Sequence, residues 1–268
     1  MRRLSQIQNR KTSTRQRRAG VFAVVALLGL AGCSGARPAD HDNQLVYIIG
    51  DSITFEAQTH VLAALRPTGW RANVTALPGK APCDYLPILT RELKRLRPNT
   101  VVIQTFGNAL SPCMRDERNR LMQIGSDPYL DRYSRDLTRL MRAATERARR
   151  VILLEPIPSG VSTFEAAREH LSKLLRNIAA RFQNAEYSSA PNQAVTVGGR
   201  YTLLMPCLAE EQSRRDCRNN LIQVRESFVQ VHFCPLPYLH TGDVEKGCHQ
   251  YSSGAVRYGR AIATLIAR

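Results

Sequence analysis

Two kinds of hydrophobic pattern alternate along this chain. Short, continuous apolar runs rich in β-branched residues occur at Leu45–Ile49, Thr100–Thr105 and Arg150–Glu155, with a weaker one at Ala72–Ala76 and a poor fifth at Ala194–Val197. Runs of that length and composition suit strands buried on both faces. Between them apolar residues return at helical spacing. A helix is expected from Phe55 to Leu65, and another through Leu130, Tyr133, Leu137, Leu140, Met141 and Ala144. Asp127-Pro128 reads as the N-cap and first-turn proline of the second. Phe164–Phe182 and Gly254–Ala267 are similar. Strand and helix in alternation predict a three-layer α/β/α sandwich with a mostly parallel sheet. Ligands in such a sheet sit at the carboxyl ends of the strands. Residues 198–248 follow neither period and hold four cysteines, Cys207, Cys217, Cys234 and Cys248. They read as an irregular, disulfide-pinned insertion in one domain spanning residues 44–268.

The first 32 residues have a different pattern. Seven basic residues and no acid precede the apolar run Val21–Leu30, the arrangement of an export signal. That run is short for a membrane span. It ends in Leu30-Ala31-Gly32-Cys33, which resembles a bacterial lipobox and implies cleavage before Cys33 and lipid on its thiol. Residues 33–43 then form a tether, and the expected location is the outer face of a membrane or the exterior. Export changes the charge reading. The formal net charge is +16, and removing seven leading positive charges leaves 16 − 7 = +9. The remaining basic residues are dispersed along amphipathic helices, without a nucleic-acid-binding motif, so nucleic acid is not an expected partner. Of the seven cysteines, six remain if Cys33 is lipidated. Six allow 15 connectivities; the simplest pairs neighbours, Cys83 with Cys113, Cys207 with Cys217, and Cys234 with Cys248. No Cys-x-x-Cys spacing occurs, and no metal or other cofactor is expected.

Candidate chemistry begins where the first strand ends, at Gly50-Asp51-Ser52-Ile53. A serine there has its hydroxyl at the carboxyl end of a strand and its N–H at a helix N-terminus. Its plainer role would be to cap that helix. The loop after the second strand holds Leu77-Pro78-Gly79, the loop after the third holds Phe106-Gly107-Asn108, and His249 precedes the last helix, five residues before Gly254. In order and spacing these residues resemble the SGNH (GDSL-type) hydrolase family, across essentially all of Gln44–Arg268. The resemblance implies a flavodoxin-like SGNH hydrolase fold and a serine esterase acting on acyl esters. Ser52 would be the nucleophile and His249 its base. The N–H groups of Ser52 and Gly79 and the amide of Asn108 would form the oxyanion hole.

His232 and His240 are nearby rivals for the base, whereas His41, His60 and His170 have no support. The family's orienting Asp stands three residues before the histidine; Lys246 is found there. Asp243 and Glu245 are the candidates to replace it, at equal rank, and a backbone carbonyl would leave a Ser–His dyad. Asp51 is expected to shape its turn. Water would accept the acyl group, or another alcohol would, making an O-acyltransferase. The alternative of another class is a catalytically inactive envelope-binding lipoprotein of the same fold.

Overall fold

The computed structural model describes residues 44–106, 108–227, 231–233 and 252–268. The export signal, the tether, Cys33, Gly107, Cys234, Cys248, Asp243, Glu245 and His249 lie outside the described residues. Five strands, β1 (Leu45–Gly50), β2 (Arg71–Ala76), β3 (Thr100–Gln104), β4 (Arg150–Leu154) and β5 (Ala185–Ser188), form one sheet of order β2-β1-β3-β4-β5, parallel throughout. The chain crosses from β2 back over β1 to β3, so the connections change direction between β1 and β3. That is the switch point at which open α/β sheets bind ligands.

Alternation along the strands divides the core. Tyr47, Ile49, Val101, Ile103, Val151 and Leu153 face one side with α2 (Pro82–Leu96), α3 (Asp127–Thr145) and α4 (Ser162–Ala179). Val46, Ile48, Val102, Ile152 and Leu154 face the other with α1 (Ser52–Leu65) and α6 (Ser253–Ala267). This is the expected three-layer sandwich. A short helix, α5 (Ala190–Gln193), follows β5. Helices α1 and α6 cross closely. A Cβ on Gly259 would lie 2.8 Å from His60 Cβ and 3.0 Å from the Ala57 carbonyl oxygen. A Cβ on Gly254 would lie 2.0 Å from the Val224 carbonyl oxygen and 2.7 Å from Phe233 Cδ1. Gly254→Ala is therefore expected to cost about 1–3 kcal/mol through forced displacement of α6. Urea unfolding measures it, and a change below about 0.5 kcal/mol, the scatter of surface substitutions, would contradict that packing.

Three expectations are corrected. The fifth strand is Ala185–Ser188; residues 194–197 lie in the turn that follows α5, with Val195 buried. The N-cap of α3 is Ser126, with Asp127 the first helical residue, where its charge favours the helix N-terminus. Helix α2, with Pro87 inside it, had not been anticipated. Within the insertion, β6 (Leu204–Pro206) and β7 (Leu221–Gln223) pair antiparallel, so the segment is not wholly irregular.

The simplest pairings Cys83–Cys113 and Cys207–Cys217 form, and the third, Cys234 with Cys248, falls outside the described residues. The insertion is joined to α6 by a buried ion pair. Arg257 donates to Glu211 from Nε at 3.0 Å and from Nη2, and Nη2 also donates to the Pro206 carbonyl at 2.7 Å. Glu211 in turn accepts the Leu208 N–H. No helix among the described residues is long and apolar enough to cross a membrane.

Candidate active site

Strand β1 stops at Gly50 because the chain must pass close to its neighbours there. A Cβ on Gly50 would lie 1.9 Å from Thr54 Oγ1 and 3.0 Å from the Gln104 carbonyl oxygen. Asp51, 1% exposed, then caps α1: its Oδ1 accepts the Ile53 N–H at 3.0 Å. The capping role open to Ser52 is thus taken by its neighbour. Ser52 is half-buried as the first residue of α1, and neither its Oγ nor its N–H has a hydrogen-bond partner among the described residues. Among the described residues its hydroxyl and a backbone donor are both uncommitted, at the positive end of a helix.

Asp51 also gathers the third loop. Its Oδ2 accepts the Phe106 N–H at 2.7 Å and Asn108 Nδ2 at 3.3 Å. Burial pushes the Asp51 carboxyl up to about 6, against the lowering pull of the Ile53 and Phe106 N–H groups and of His232. Every contact it makes here is as an acceptor, which fits turn-shaping and not proton transfer. Asn108 Nδ2 donates in addition to the Lys80 carbonyl at 2.9 Å. Both amide hydrogens of Asn108 are therefore engaged, and an oxyanion would have to displace the longer bond to Asp51.

The second loop is a turn closed by Lys80 N–H to the Leu77 carbonyl, with Pro78 and Gly79 at its centre. Gly79 has φ +75, and nothing lies within 4 Å of where a Cβ would sit. Proline followed by a positive-φ glycine is the signature of a type II turn, so glycine is required for its conformation while the space above stays open. Its N–H has no partner among the described residues. Tyr85 ties the first two loops together, donating to the Gly50 carbonyl at 2.5 Å and lying 3.1 Å from that of Leu77. The second and third loops are braced by the Cys83–Cys113 disulfide and by Asp84, which accepts the Ser111 hydroxyl at 2.5 Å and the Ala81 N–H at 2.9 Å.

Ser52, Gly79 and Asn108 thus stand on three loops at one end of the sheet, and hydrogen bonds link those loops. The structure does not describe His249, Asp243 or Glu245. It does present a pair that sequence reasoning missed. Glu56, 1% exposed on α1, bonds through Oε1 to His232 Nδ1, and its Oε2 accepts the Phe233 N–H at 2.6 Å. Burial lowers the His232 pKa, but the Glu56 carboxylate outweighs it and holds the ring above the usual histidine value; Asp51 and Glu226 act in the same direction. The signal for Glu56 was available: an acid within the buried face of α1, beside Ile53 and Ala57, is rarely left without a partner.

Comparison with known proteins adds the following. No curated protein matches the chain. Among solved structures, an alpha/beta hydrolase enzyme, LAE5, from the metagenome of Lake Arreo, Spain, is similar at 17% identity and a TM-score of 0.44, over 56% of this chain and 78% of that one. A catalytic mutant of the acetylxylan esterase Axe2 from Geobacillus stearothermophilus is similar at 18% identity and 0.45, over 56% and 77%. A putative platelet activating factor from Streptococcus pneumonia is similar at 11% identity and 0.47, over 82% and 83%. The profile of a family described as "Protein of unknown function (DUF459)" matches residues 45–220, which run from the start of β1 to the residue before β7 and include Ser52, Gly79 and Asn108. The chain belongs to the DUF459 family.

Proposed function

We propose that this chain is a serine esterase of the SGNH type, cleaving acyl esters through an acyl-serine intermediate. The observation that carries the reading is the division of labour at the end of β1. Asp51 caps the helix, and at the sheet's switch point Ser52 keeps its hydroxyl and N–H free of partners among the described residues. A neutral hydroxyl attacks a carbonyl only if a base takes its proton during attack. A histidine from the segment that leads into α6 is that base; the sequence resemblance assigns His249. Attack places negative charge on the former carbonyl oxygen. The N–H groups of Ser52 and Gly79 are the available donors to receive it, and Asn108 joins them by releasing Asp51. Each such donor is worth about 3–4 kcal/mol of transition-state stabilisation.

The leaving alcohol departs with the proton, and water or a second alcohol accepts the acyl group. We further propose export and a lipid anchor at Cys33, which would hold the enzyme against a membrane while its substrate remains an acyl ester. Fluorophosphonate labelling tests the reading. Ser52 is expected to be labelled and the label to disappear in Ser52→Ala. A folded wild-type protein that takes no label would replace this proposal with that of a binding lipoprotein.

A further inference from the structure

We infer that the imidazole serving Ser52 is His232, and that Glu56, from the nucleophile's own helix, is the acid that orients it. The inference rests on the serine-esterase reading of Ser52, and it moves the base from His249 to His232.

Residues four apart on a helix share a face, with Cβ atoms about 5–6 Å apart. Ser52 and Glu56 stand in that relation at the start of α1. Glu56 is buried and reaches the segment 231–233 with both oxygens, one to His232 Nδ1 and one to the Phe233 N–H. A carboxylate on Nδ1 fixes the tautomer that leaves Nε2 as the acceptor, the arrangement a general base needs. Nε2 has no partner among the described residues, and the His232 side chain remains 16% exposed. Through Glu56 the ring is held against α1, one turn along from Ser52.

The backbone around the ring is fixed from three sides. Glu226 N–H donates to the His232 carbonyl at 2.9 Å, buried Arg225 donates from Nη1 to the Val231 carbonyl at 3.0 Å, and Ser252 Oγ donates to the Phe233 carbonyl at 3.0 Å. Gly254 completes this packing, since any side chain there would strike Phe233 and the Val224 backbone. The glycine that the sequence pattern associated with His249 is therefore spent on the segment carrying His232. Lys246, which stands where an orienting acid was expected, needs no replacement in its own loop if Glu56 supplies the carboxylate.

The proton balance is simple. As Ser52 Oγ bonds to the acyl carbon, its proton passes to Nε2. The imidazolium, paired with Glu56, gives that proton to the leaving alkoxide as the C–O bond breaks. A second alcohol or water then repeats the sequence in reverse.

The test combines three variants, with folding checked by thermal unfolding. His232→Ala is expected to lower kcat/KM for a short-chain aryl ester by about 10³-fold or more, and added imidazole is expected to restore part of the loss. Glu56→Gln is expected to lower kcat on the order of 10²-fold with little change in KM. It should also move the acidic limb of the kcat/KM profile to lower pH, because removing that negative charge removes what raises the ring. Asp51, Glu226 and the guanidinium of Arg225 also face this segment and are unchanged in that variant. His232→Ala within tenfold of wild type, or a loss that imidazole leaves untouched, overturns the assignment. So does a Glu56→Gln enzyme with unaltered rate and pH limb, a result that stands even if His232→Ala fails to fold. Loss of activity in His249→Asn with full activity in His232→Ala would return the role to His249. Failure of wild-type Ser52 to take the fluorophosphonate label is a separate result and would remove the nucleophile itself.

Discussion

Ser52→Ala is expected to reduce turnover of a short-chain aryl ester by about 10⁴-fold or more while leaving the fold intact. The size follows from the role: without the hydroxyl there is no acyl-enzyme, and the remaining oxyanion donors assist only direct attack by water. The selectivity follows from the local structure. The helix loses no cap, since Asp51 provides it, and no hydrogen bond of Ser52 Oγ is lost among the described residues. The stability change should therefore lie within about 0.5 kcal/mol, the range of substitutions away from structural features. Asp51→Ala gives the contrasting result. It removes the acceptor for Ile53, Phe106 and Asn108 together, so stability and activity should fall in parallel. Aryl-ester assays beside calorimetry distinguish the two patterns. Ser52→Ala with turnover within tenfold of wild type would remove Ser52 from the chemistry.

The largest stability effect is expected at the insertion. Glu211→Ala leaves Arg257, a residue only 5% exposed, without its carboxylate. Breaking a buried pair from one side costs about 3–5 kcal/mol, because the surviving charge remains desolvated. In a domain of this size that corresponds to a fall in Tm of about 10 °C. Replacing both partners with apolar residues, Glu211→Leu with Arg257→Met, should recover much of the loss, since the pair's net contribution is far smaller than the cost of halving it. Thermal unfolding of the single and double variants measures this. A single-variant loss below about 1 kcal/mol, well under the cost of halving a buried pair, would mean that water reaches the guanidinium.

The sheet and the Gly50-Asp51-Ser52 turn were readable in the sequence because buried parallel strands are continuous apolar runs. The edge strand β5, Ala185-Glu186-Tyr187-Ser188, is half-buried along its length and carries no such run. Nearby Val195 is fully buried from a turn, so an apolar residue outside any strand drew the assignment away. Helix α2 was hidden by Pro82 and Pro87; the first sits where a missing N–H costs nothing, and the second is carried by the rest of an amphipathic helix. At the site, the sequence placed Ser52, Gly79 and Asn108 on neighbouring loops. It could not show that Asp51 would hold two of those loops together, nor that Asn108 would have both amide hydrogens engaged. The partnership of Glu56 with His232 spans 176 positions and arises only when the chain's end returns over its beginning.

The Cys83–Cys113 bridge has a practical corollary for anyone who purifies this protein. Its companions across the same gap are the contact between Ser111 and Asp84 and the bond from Asn108 Nδ2 to the Lys80 carbonyl. Material produced in a reducing cytosol would retain its five-stranded frame, which owes nothing to sulfur chemistry, yet present its two neighbouring loops with hydrogen bonds in place of a covalent tie to keep them in step. Preparations of one gene product could then differ in specific activity according to the redox history of the batch, and titrating thiols before each assay would reveal why.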